Sequence, residues 1–340
     1  MIAAGLIGYG YWGPNLLRNL VGSKHFAVKA IAERDPERLS RARVDAPGAQ
    51  TLEEAEVLLK LPGLSAIIIA TPVATHFPLA RQALLSGKHV LVEKPMCTSS
   101  AQCEELIGLA KAQGVTLMVD HTFLFTGAVQ KLRELHASNA LGKISYYDSL
   151  RVNLGLFQPD VNVLWDLAPH DFSIMDHVIG VEPIHVEATG YCHVNPHLPD
   201  IAYVTIHCAS GMIAHFNLSW MSPVKVRRIA IGGDRQMAVW DDLDREEKIR
   251  IYNSGIRFQP ESERITIIPE YRIGDIYSPR VPSREALVGM IEHFANVIKG
   301  HEAPIMGGDK GLRVVRMLES AQASLDASLA KVAAAGRSGR

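Results

Sequence analysis

A lysine at the end of a short apolar run is the first residue whose type and position could serve chemistry. Lys94, flanked by Glu93 and Pro95, follows residues 88–92, whose composition predicts a short buried strand. Open α/β sheets bind ligands at the carboxyl ends of their strands, so an ammonium group there can orient a hydroxyl or carbonyl group. Glu93 could hold that ammonium, and Pro95 stiffens the turn. The alternative is a surface ion pair at a strand end, which would contribute little.

An aspartate and a histidine four residues apart, Asp166 and His170, form a second candidate pair. If a helix begins at Asp166, the two side chains share one face, and Pro169 is tolerated because it falls in the first turn. A carboxylate beside an imidazole fixes the orientation of the ring, as general acid–base catalysis requires. Alternatively, Asp166 is only a helix N-cap and His170 a half-buried ring with satisfied nitrogens.

A glycine-rich turn near the N-terminus has the spacing of a dinucleotide-binding loop. The apolar run at residues 2–7 leads into Gly8-x-Gly10-x-x-Gly13, which a helix follows, so the motif lies between a strand and a helix. Gly8 would make the tight turn, Gly10 would let the backbone approach a pyrophosphate, and Gly13 would let the helix pack on the strand. The alternative is a glycine-rich turn that merely packs tightly.

An acidic residue lies where the ribose of a bound adenosine would need it. A second strand at about 26–32 ends at Glu33, twenty residues after Gly13, and its carboxylate would accept hydrogen bonds from the ribose hydroxyls. This charge favours NAD over NADP, because it would repel a 2′-phosphate. Arg34 keeps NADP open, since it could stack on the adenine or bind that phosphate.

Apolar strands and amphipathic helices alternate, with short links, over the first 120 residues. This alternation predicts an α/β fold with a doubly wound parallel sheet. After the two strands named above, the predicted strands are 64–70, 88–92 and 115–119, and the predicted helices are 52–60, 73–86 and one capped by Ser99 or Ser100 that ends at 113.

The rest of the chain has a different pattern. Residues 183–252 alternate in strand fashion, with a hairpin signal at Ser210-Gly211. The other predicted elements are a helix at 126–139, a strand at 144–152, a long loop at 254–282, a helix capped by Ser283 that runs to 299, and a helix at 309–334. The predicted domains are 1–120 for dinucleotide binding, 121–334 for substrate binding and oligomerisation, and a flexible tail at 335–340.

Composition excludes several classes of function. The net charge of −1 gives no reason to expect a nucleic-acid partner or an anionic membrane surface. No apolar run reaches the length of a transmembrane helix, and the N-terminus lacks a signal-peptide pattern. Neither the cysteines nor the scattered histidines have metal-ligand spacing, so we expect no metal, and reduced thiols predict a cytoplasmic protein. The broad apolar sheet face predicts a homo-oligomer, a dimer or tetramer.

Several segments, taken in order along the chain, resemble the glucose–fructose oxidoreductase / inositol dehydrogenase / MocA family. They are the glycine motif, Ala70-Thr71-Pro72 with His76, Gly87-Lys88-His89-Val90, Glu93-Lys94-Pro95, residues 119–125 and residues 165–170. The resemblance implies an N-terminal Rossmann domain and a C-terminal α+β domain with an open, mostly antiparallel sheet. It also implies an NAD(P)-dependent enzyme that interconverts an alcohol and a ketone on a sugar or cyclitol.

The resemblance also assigns residues to a site. Lys94, Asp166 and His170 would be catalytic, with Lys94 polarising the reacting oxygen and His170 acting as acid and base. The predicted cofactor-binding residues are Gly8, Gly10, Tyr11, Trp12, Gly13, Glu33, Arg34, Thr71, Pro72, His76, Glu93, Lys94 and Trp165. The predicted substrate-binding residues are His121, Arg151, Asn153 and His170, although Arg151 and Asn153 could equally be an exposed strand-end pair. Asp120 departs from relatives that carry a small residue there.

Residues 11–15, 151–157 and 165–171 are similar to those of family members that act on nucleotide-activated sugars, such as UDP-N-acetylglucosamine 3-dehydrogenases and sugar 3-ketoreductases. We therefore expect a nucleotide-sugar dehydrogenase. The alternatives are an NADPH-dependent keto-sugar reductase of a deoxysugar or antibiotic pathway, a cyclitol dehydrogenase, and a non-catalytic dinucleotide-binding regulator.

Overall fold

A computed structural model describes residues 1–155, 157–257 and 270–338. The chain divides into two compact units. Unit 1 comprises Met1–Phe125 and Arg284–Glu319, and unit 2 comprises Thr126–Ser283 and Ser320–Arg340. This division differs from the predicted domains mainly because residues 284–319 pack with the N-terminal segment.

Unit 1 contains the doubly wound parallel sheet that the sequence predicted. Its strand order is β3-β2-β1-β4-β5-β6, and every neighbouring pair is parallel. The strands are β1 (Ile2–Ile7), β2 (Phe26–Ala32), β3 (Gln50–Leu52), β4 (Ala66–Ile69), β5 (His89–Glu93) and β6 (Leu117–Asp120). The direction of crossover reverses at β1, the position at which such sheets bind ligands.

Helices link these strands. They are α1 (Gly13–Val21), α2 (Pro36–Asp45), α3 (Ala55–Leu59), α4 (His76–Leu85) and α5 (Ser100–Gln113), with short 3₁₀ turns at Val73–Thr75 and Thr122–Phe125. Ser99 caps α5 through the N–H of Gln102, and Gly114 ends the helix in the left-handed conformation, both as predicted. Helix α2, capped by Asp35, was not predicted, and the predicted helix at 52–60 is confined to α3.

In unit 2, eight described strands form one mostly antiparallel sheet, as predicted, and β7 and β10 are its parallel pair. The order is β16-β13-β12-β11-β7-β10-β9-β8. The elements are α6 (Gly127–Ala137), β7 (Ile144–Leu154), α7 (Val163–Ile179), β8 (Pro183–Tyr191), β9 (Ile201–Cys208), β10 (Ile213–Ser219), β11 (Met221–Gly233), β12 (Met237–Asp241), β13 (Ile249–Tyr252), β14 (Gly255–Arg257), β15 (Glu270–Arg272) and β16 (Ile276–Tyr277). Strands β14 and β15 pair with each other.

The hairpin predicted at Ser210-Gly211 joins β9 to β10, and Gly211 has the positive φ of 83° that a tight turn requires. The loop predicted at 254–282 was wrong at its described ends, because they contain β14, β15 and β16. Its middle, residues 258–269, lies outside the described residues.

The chain closes with α8 (Ala286–Ile298) and α9 (Gly308–Ser338). Glu285, not the predicted Ser283, is at the N-cap of α8. In unit 1, α8 buries Leu287, Met290, Ile291 and Phe294 in the core, and Phe294 stacks on Phe26 with ring centroids 5.8 Å apart. The predicted tail is helical as far as Ser338, and residues 339–340 lie outside the described part of the chain.

Within residues 1–155, 157–257 and 270–338, no helix has the combination of length and apolar character needed to cross a lipid bilayer. The same residues contain no group of three or more histidine, cysteine, aspartate or glutamate side chains arranged to hold a metal ion.

Candidate active site

The glycine-rich loop of unit 1 leaves room for a ligand at one of its three glycines. A Cβ atom on Gly8, where φ is +95°, would lie 2.5 Å from the carbonyl oxygen of Ala70, and one on Gly13 would lie 2.5 Å from that of Gly8. At Gly10 the nearest heavy atom would be the Arg38 Nη1 at 3.5 Å. Packing therefore demands glycine at the first and third positions, while the open space at Gly10 suits the approach of a pyrophosphate.

Glu33 lies directly against this loop. Its Oε2 accepts the backbone N–H of Tyr9 at 2.6 Å, and its Oε1 accepts that of Asp35 at 2.9 Å. Each oxygen keeps a second acceptor position for a ribose hydroxyl. The geometry therefore fits the ribose of a dinucleotide whose pyrophosphate lies at the loop.

Arg34, because of which NADP remained an alternative cofactor, lies in a surface depression with three carboxylates, those of Glu53, Glu54 and Glu56. Their negative charge offsets that of the guanidinium and would repel a 2′-phosphate. The electrostatics of this part of unit 1 therefore favour NAD.

The loop after β4 is tied to the segment after β5 by a buried histidine. The ring of His76, 1% exposed, places Nδ1 2.9 Å from the carbonyl oxygen of Pro95 and Nε2 2.8 Å from that of Thr71. Thr71 also accepts a hydrogen bond from the Thr75 hydroxyl at 2.7 Å, and Pro72 precedes the 3₁₀ turn. His76 thus fixes the segment that carries Lys94, and its predicted role at the nicotinamide stays a prediction.

Two carboxyl groups lie together at the ends of β5 and β6. Glu93 and Asp120 are register partners, and each lies within hydrogen-bonding range of the other. Asp120 also accepts hydrogen bonds from the Trp12 indole at 3.3 Å and from the Thr122 hydroxyl. Burial raises the pKa of Glu93 well above its usual value, with a further contribution from Asp120, and burial also raises the pKa of Asp120.

His121 follows Asp120 and is 1% exposed. Neither ring nitrogen has a hydrogen-bond partner among the residues that the structure describes. Burial, followed by the nearby charge of Lys94, lowers the pKa of His121 to about 3. A buried polar ring without partners is costly, which marks it as a candidate for binding a ligand.

In unit 2, the helix that carries Asp166 and His170 begins earlier than predicted. Asn162 is the N-cap of α7, and its side chain accepts the N–H of Trp165 at 3.1 Å. The expectations that the helix begins at Asp166 and that Pro169 falls in its first turn were therefore wrong, and Pro169 lies inside the helix. The i, i+4 relation of Asp166 and His170 is retained, and the Asp166 carboxylate accepts the indole N–H of Trp220 at 3.1 Å.

A bidentate ion pair is buried directly beside His170. Arg151, 4% exposed, donates from Nε to Asp171 Oδ2 at 2.9 Å and from Nη2 to Oδ1 at 2.6 Å. Arg151 is thus bound to α7. The sequence did not identify Asp171 as its partner. Nothing in local spacing identifies such a pair, because twenty residues separate its members and no motif fixes that distance.

The remaining predicted residues of unit 2 and of the glycine-rich loop contact single neighbouring polar groups or solvent. The Trp165 indole donates to the side-chain oxygen of Gln322 at 3.1 Å, and the Asn153 amide donates to the carbonyl of Leu154 at 3.2 Å. Tyr11 is 83% exposed. Within unit 1, the charge of Lys94 acts on both Glu93 and His121. Within unit 2, Asp166 and His170 lie one helical turn apart on α7, whereas Arg151 binds Asp171 and Trp165 binds Gln322.

Residues 2–121 match the oxidoreductase family with an NAD-binding Rossmann fold, and residues 129–239 match the GFO/IDH/MocA C-terminal domain. The chain belongs to the GFO/IDH/MocA family. This confirms the predicted resemblance, fold class and cofactor class: the protein is an oxidoreductase with an NAD-binding domain.

Two curated relatives match almost the full chain. UDP-N-acetylglucosamine 3-dehydrogenase of Acidithiobacillus ferrooxidans is 28% identical over 328 residues, covering 96% of this chain and 97% of that protein. Myo-inositol 2-dehydrogenase of Thermotoga maritima is 23% identical over 337 residues, covering 95% and 96%.

Solved structures show the same architecture. An oxidoreductase structure from Magnetospirillum magnetotacticum has a TM-score of 0.80 and 30% identity, covering 94% of this chain and 99% of that one. The structure of the Acidithiobacillus ferrooxidans enzyme has a TM-score of 0.81 at 24% identity, covering 96% and 99%, which establishes the shared fold.

The neutral state of His121 predicts a specific acid sensitivity. A histidine in the unfolded chain has a pKa of about 6.5, whereas His121 in the folded chain has a pKa of about 3. Between these two pH values the unfolded chain binds a proton at this residue and the folded chain does not. The free energy of unfolding should therefore drop by about 2 kcal/mol at pH 5 from this residue. Denaturant titrations of His121→Phe should show this component removed, whereas His185→Gln, on an exposed strand, should retain it. Identical pH profiles for the wild type and His121→Phe would contradict the prediction.

The ion pair beside His170 predicts strong non-additivity. Arg151→Met should lower the free energy of unfolding by about 3–5 kcal/mol, because it leaves Asp171 as an uncompensated buried charge. The double variant Arg151→Met/Asp171→Leu should lose much less than the sum of the single variants in denaturant unfolding. The exposed pair Arg81–Glu105 of unit 1, with side chains 47% and 45% exposed, is the control and should show a smaller coupling. Additive losses at the buried pair would refute the coupling.

Proposed function

We propose that the protein oxidises a secondary alcohol of a nucleotide-activated sugar to a ketone, as a UDP-N-acetylglucosamine 3-dehydrogenase does. The observation that carries this proposal is the end-to-end match to that enzyme, which covers 96% of this chain and 97% of the relative. A match of that extent includes the substrate domain as well as the cofactor domain, so it supports a shared substrate class.

The proposed roles follow from the chemistry of each side chain. NAD supplies the hydride acceptor when bound. Lys94 donates a hydrogen bond to the reacting oxygen and stabilises the negative charge that develops on it. His170 accepts the hydroxyl proton during oxidation and returns it during reduction. Asp166, held by the Trp220 indole, orients the imidazole from one helical turn away.

The adenosine half of the cofactor is assigned to unit 1. The glycine loop from Gly8 to Gly13 holds the pyrophosphate, Glu33 the adenosine ribose, and the carboxylates around Arg34 select against a 2′-phosphate. The remaining predicted contacts to the cofactor stay part of the proposal: Tyr11, Trp12, Thr71, Pro72, His76, Glu93 and Trp165.

For the substrate, we assign His121 and Asn153 to direct recognition. The two ring nitrogens of His121 lack partners among the described residues, so a polar group of the ligand would relieve their desolvation. Arg151 is 4% exposed and held by Asp171, so we propose that it acts by fixing the helix turn that carries His170.

A cyclitol is the second candidate substrate, because the myo-inositol 2-dehydrogenase of Thermotoga maritima also matches 95% of this chain. An NADPH-dependent keto-sugar reductase is disfavoured by the carboxylates around Arg34. A non-catalytic regulator is disfavoured because a sensor has no need of Lys94, Asp166 and His170 together. A homo-oligomer, dimer or tetramer, is also part of the proposal, and sedimentation equilibrium would give its stoichiometry.

The test is the nicotinamide absorbance of the purified protein mixed with NAD and, separately, with UDP-sugars, free sugars and cyclitols. We expect reduction of NAD with a UDP-sugar, and UDP-N-acetylglucosamine first among them. Recording the spectrum before any addition reveals cofactor that is already bound. Turnover confined to a cyclitol would replace the proposal by the second candidate, and no turnover in either direction, despite measured NAD binding, would overturn it.

Substitutions test the assigned roles with the substrate that this panel identifies. Lys94→Ala should lower kcat by about a hundredfold to a thousandfold, because a donor to the developing oxyanion is lost, while the Kd for NAD stays similar. His170→Gln should lower kcat by about a hundredfold or more. The double variant should lose less than the product of the two factors if both side chains act on one oxygen.

The matched controls are Lys111→Ala and His197→Gln, which are exposed and should keep wild-type turnover. Near-normal kcat in Lys94→Ala or in His170→Gln would refute the role assigned to that residue.

A further inference from the structure

Two acidic side chains end neighbouring strands in unit 1, and no step of the proposed reaction uses them as a pair. Glu93 is the last residue of β5 and Asp120 the last of β6, and they are partners in the parallel register. Register partners on adjacent strands project to the same face of the sheet. Asp120 is 2% exposed, so the contact between the two carboxyl groups is withdrawn from water.

The hydrogen bonds around the pair leave one place for a proton. Glu93 Oε2 accepts the N–H of Lys94 at 3.1 Å, while Glu93 Oε1 is buried and has no donor among the described residues. Asp120 accepts from Trp12 and Thr122 and lies within hydrogen-bonding range of Glu93. Two ionised carboxylates only accept hydrogen bonds, so this contact requires one shared proton.

The charges around the pair then sum to zero. The charged group that acts on Glu93 besides Asp120 is Lys94, and the histidine next to Asp120, His121, is neutral because burial lowers its pKa to about 3. Burial and the Asp120 charge raise the pKa of Glu93, so the proton belongs mainly to Glu93. One carboxylate therefore balances one ammonium.

The part of the cofactor whose charge changes, the nicotinamide ring, is expected near Glu93 and Asp120. The glycine loop follows β1 and Glu33 follows β2, so the pyrophosphate and the adenosine ribose fix one half of the dinucleotide. In the strand order β2-β1-β4-β5-β6, the nicotinamide half must extend the other way, towards the ends of β4, β5 and β6. The Trp12–Asp120 hydrogen bond links the loop to the carboxyl pair directly.

We propose that Glu93 and Asp120 form a one-proton switch that matches the charge of the nicotinamide ring. The pair keeps its proton beside the neutral, reduced ring and releases it to solvent when the positively charged, oxidised ring binds. With the proton gone, two carboxylates balance the Lys94 ammonium and the ring, so the local charge is zero in both states. The pair thereby makes the preference between oxidised and reduced cofactor depend on pH.

The expected result is a proton released by one cofactor and not by the other. Isothermal titration calorimetry with NAD⁺ or NADH alone, in buffers of different ionisation enthalpy, measures the protons exchanged. We expect release approaching one proton per NAD⁺ and none per NADH, and a Kd for NAD⁺ that tightens by up to about tenfold per pH unit within the titration range of the pair. No sugar is present, so the outcome is independent of the proposed substrate.

Glu93→Gln is the decisive variant, because the amide resembles the protonated acid, can donate to Asp120 and has no proton to release. It should abolish the difference in proton release between NAD⁺ and NADH. Asp120→Asn keeps one carbonyl acceptor, for Trp12 or for Thr122, and removes the like charge, so it should move the release to lower pH. Glu105→Gln, on the surface of α5 and paired with Arg81, is the matched control and should behave as the wild type.

Equal proton exchange with the two cofactors in the wild-type protein would overturn the proposal. Undiminished release in Glu93→Gln would overturn it as well, since another group would then be the source. If Glu93→Gln does not fold, the downward shift expected for Asp120→Asn decides the question alone, and an unchanged pH range in that variant rejects the switch.

Discussion

The parallel hydrogen bonding of β1, β4, β5 and β6 is the constraint on which the candidate chemistry of unit 1 depends. Parallel strands in register end at the same edge of a sheet, so residues that are distant in sequence meet there. The apolar run Ile67-Ile68-Ile69, fully buried in β4, holds this register because helices cover both faces of the sheet. A shift of one residue between β5 and β6 would turn Asp120 away from Glu93 and towards the opposite face.

Polar side chains buried near these strand ends and on α7 lose their contacts with water, which costs free energy. Three arrangements in the protein respond to this desolvation. Arg151 and Asp171 satisfy each other with two hydrogen bonds, which compensates their desolvation through geometry. In the proposed switch, Glu93 and Asp120 reduce their total charge by retaining a proton, which the raised pKa of Glu93 favours. His121 stays uncharged with both ring nitrogens unpartnered among the described residues, the least compensated of the three arrangements. Uncompensated polar burial is tolerated mainly where a ligand completes it.

Sequence reasoning succeeded where the signal is local and failed where it depends on long-range packing. The glycine spacing between β1 and α1 and the Ser99 and Gly114 caps lie within a few residues of the structure that they specify, and the fold class follows from the same local patterns. The start of α7 was misplaced because Asn162 competes with Asp166 for the N-cap, and both residue types cap well. The packing of α8 with unit 1 and the Arg151–Asp171 pair join distant segments, so no spacing rule could identify them.

Asp120 shows why a departure from a family pattern has to be interpreted in three dimensions. In the sequence it is only a charge at a position where the resemblance led us to expect a small residue. In the structure its carboxylate meets three elements at once: the glycine loop through Trp12, the end of β5 through Glu93, and the following turn through Thr122. Burying that charge raises its pKa and disfavours the folded state at neutral pH, so structural stability alone gives no reason for an acid there. A buried acid at a cofactor-binding edge has a physical rationale when the ligand itself changes charge, and a nicotinamide ring does so in every turnover.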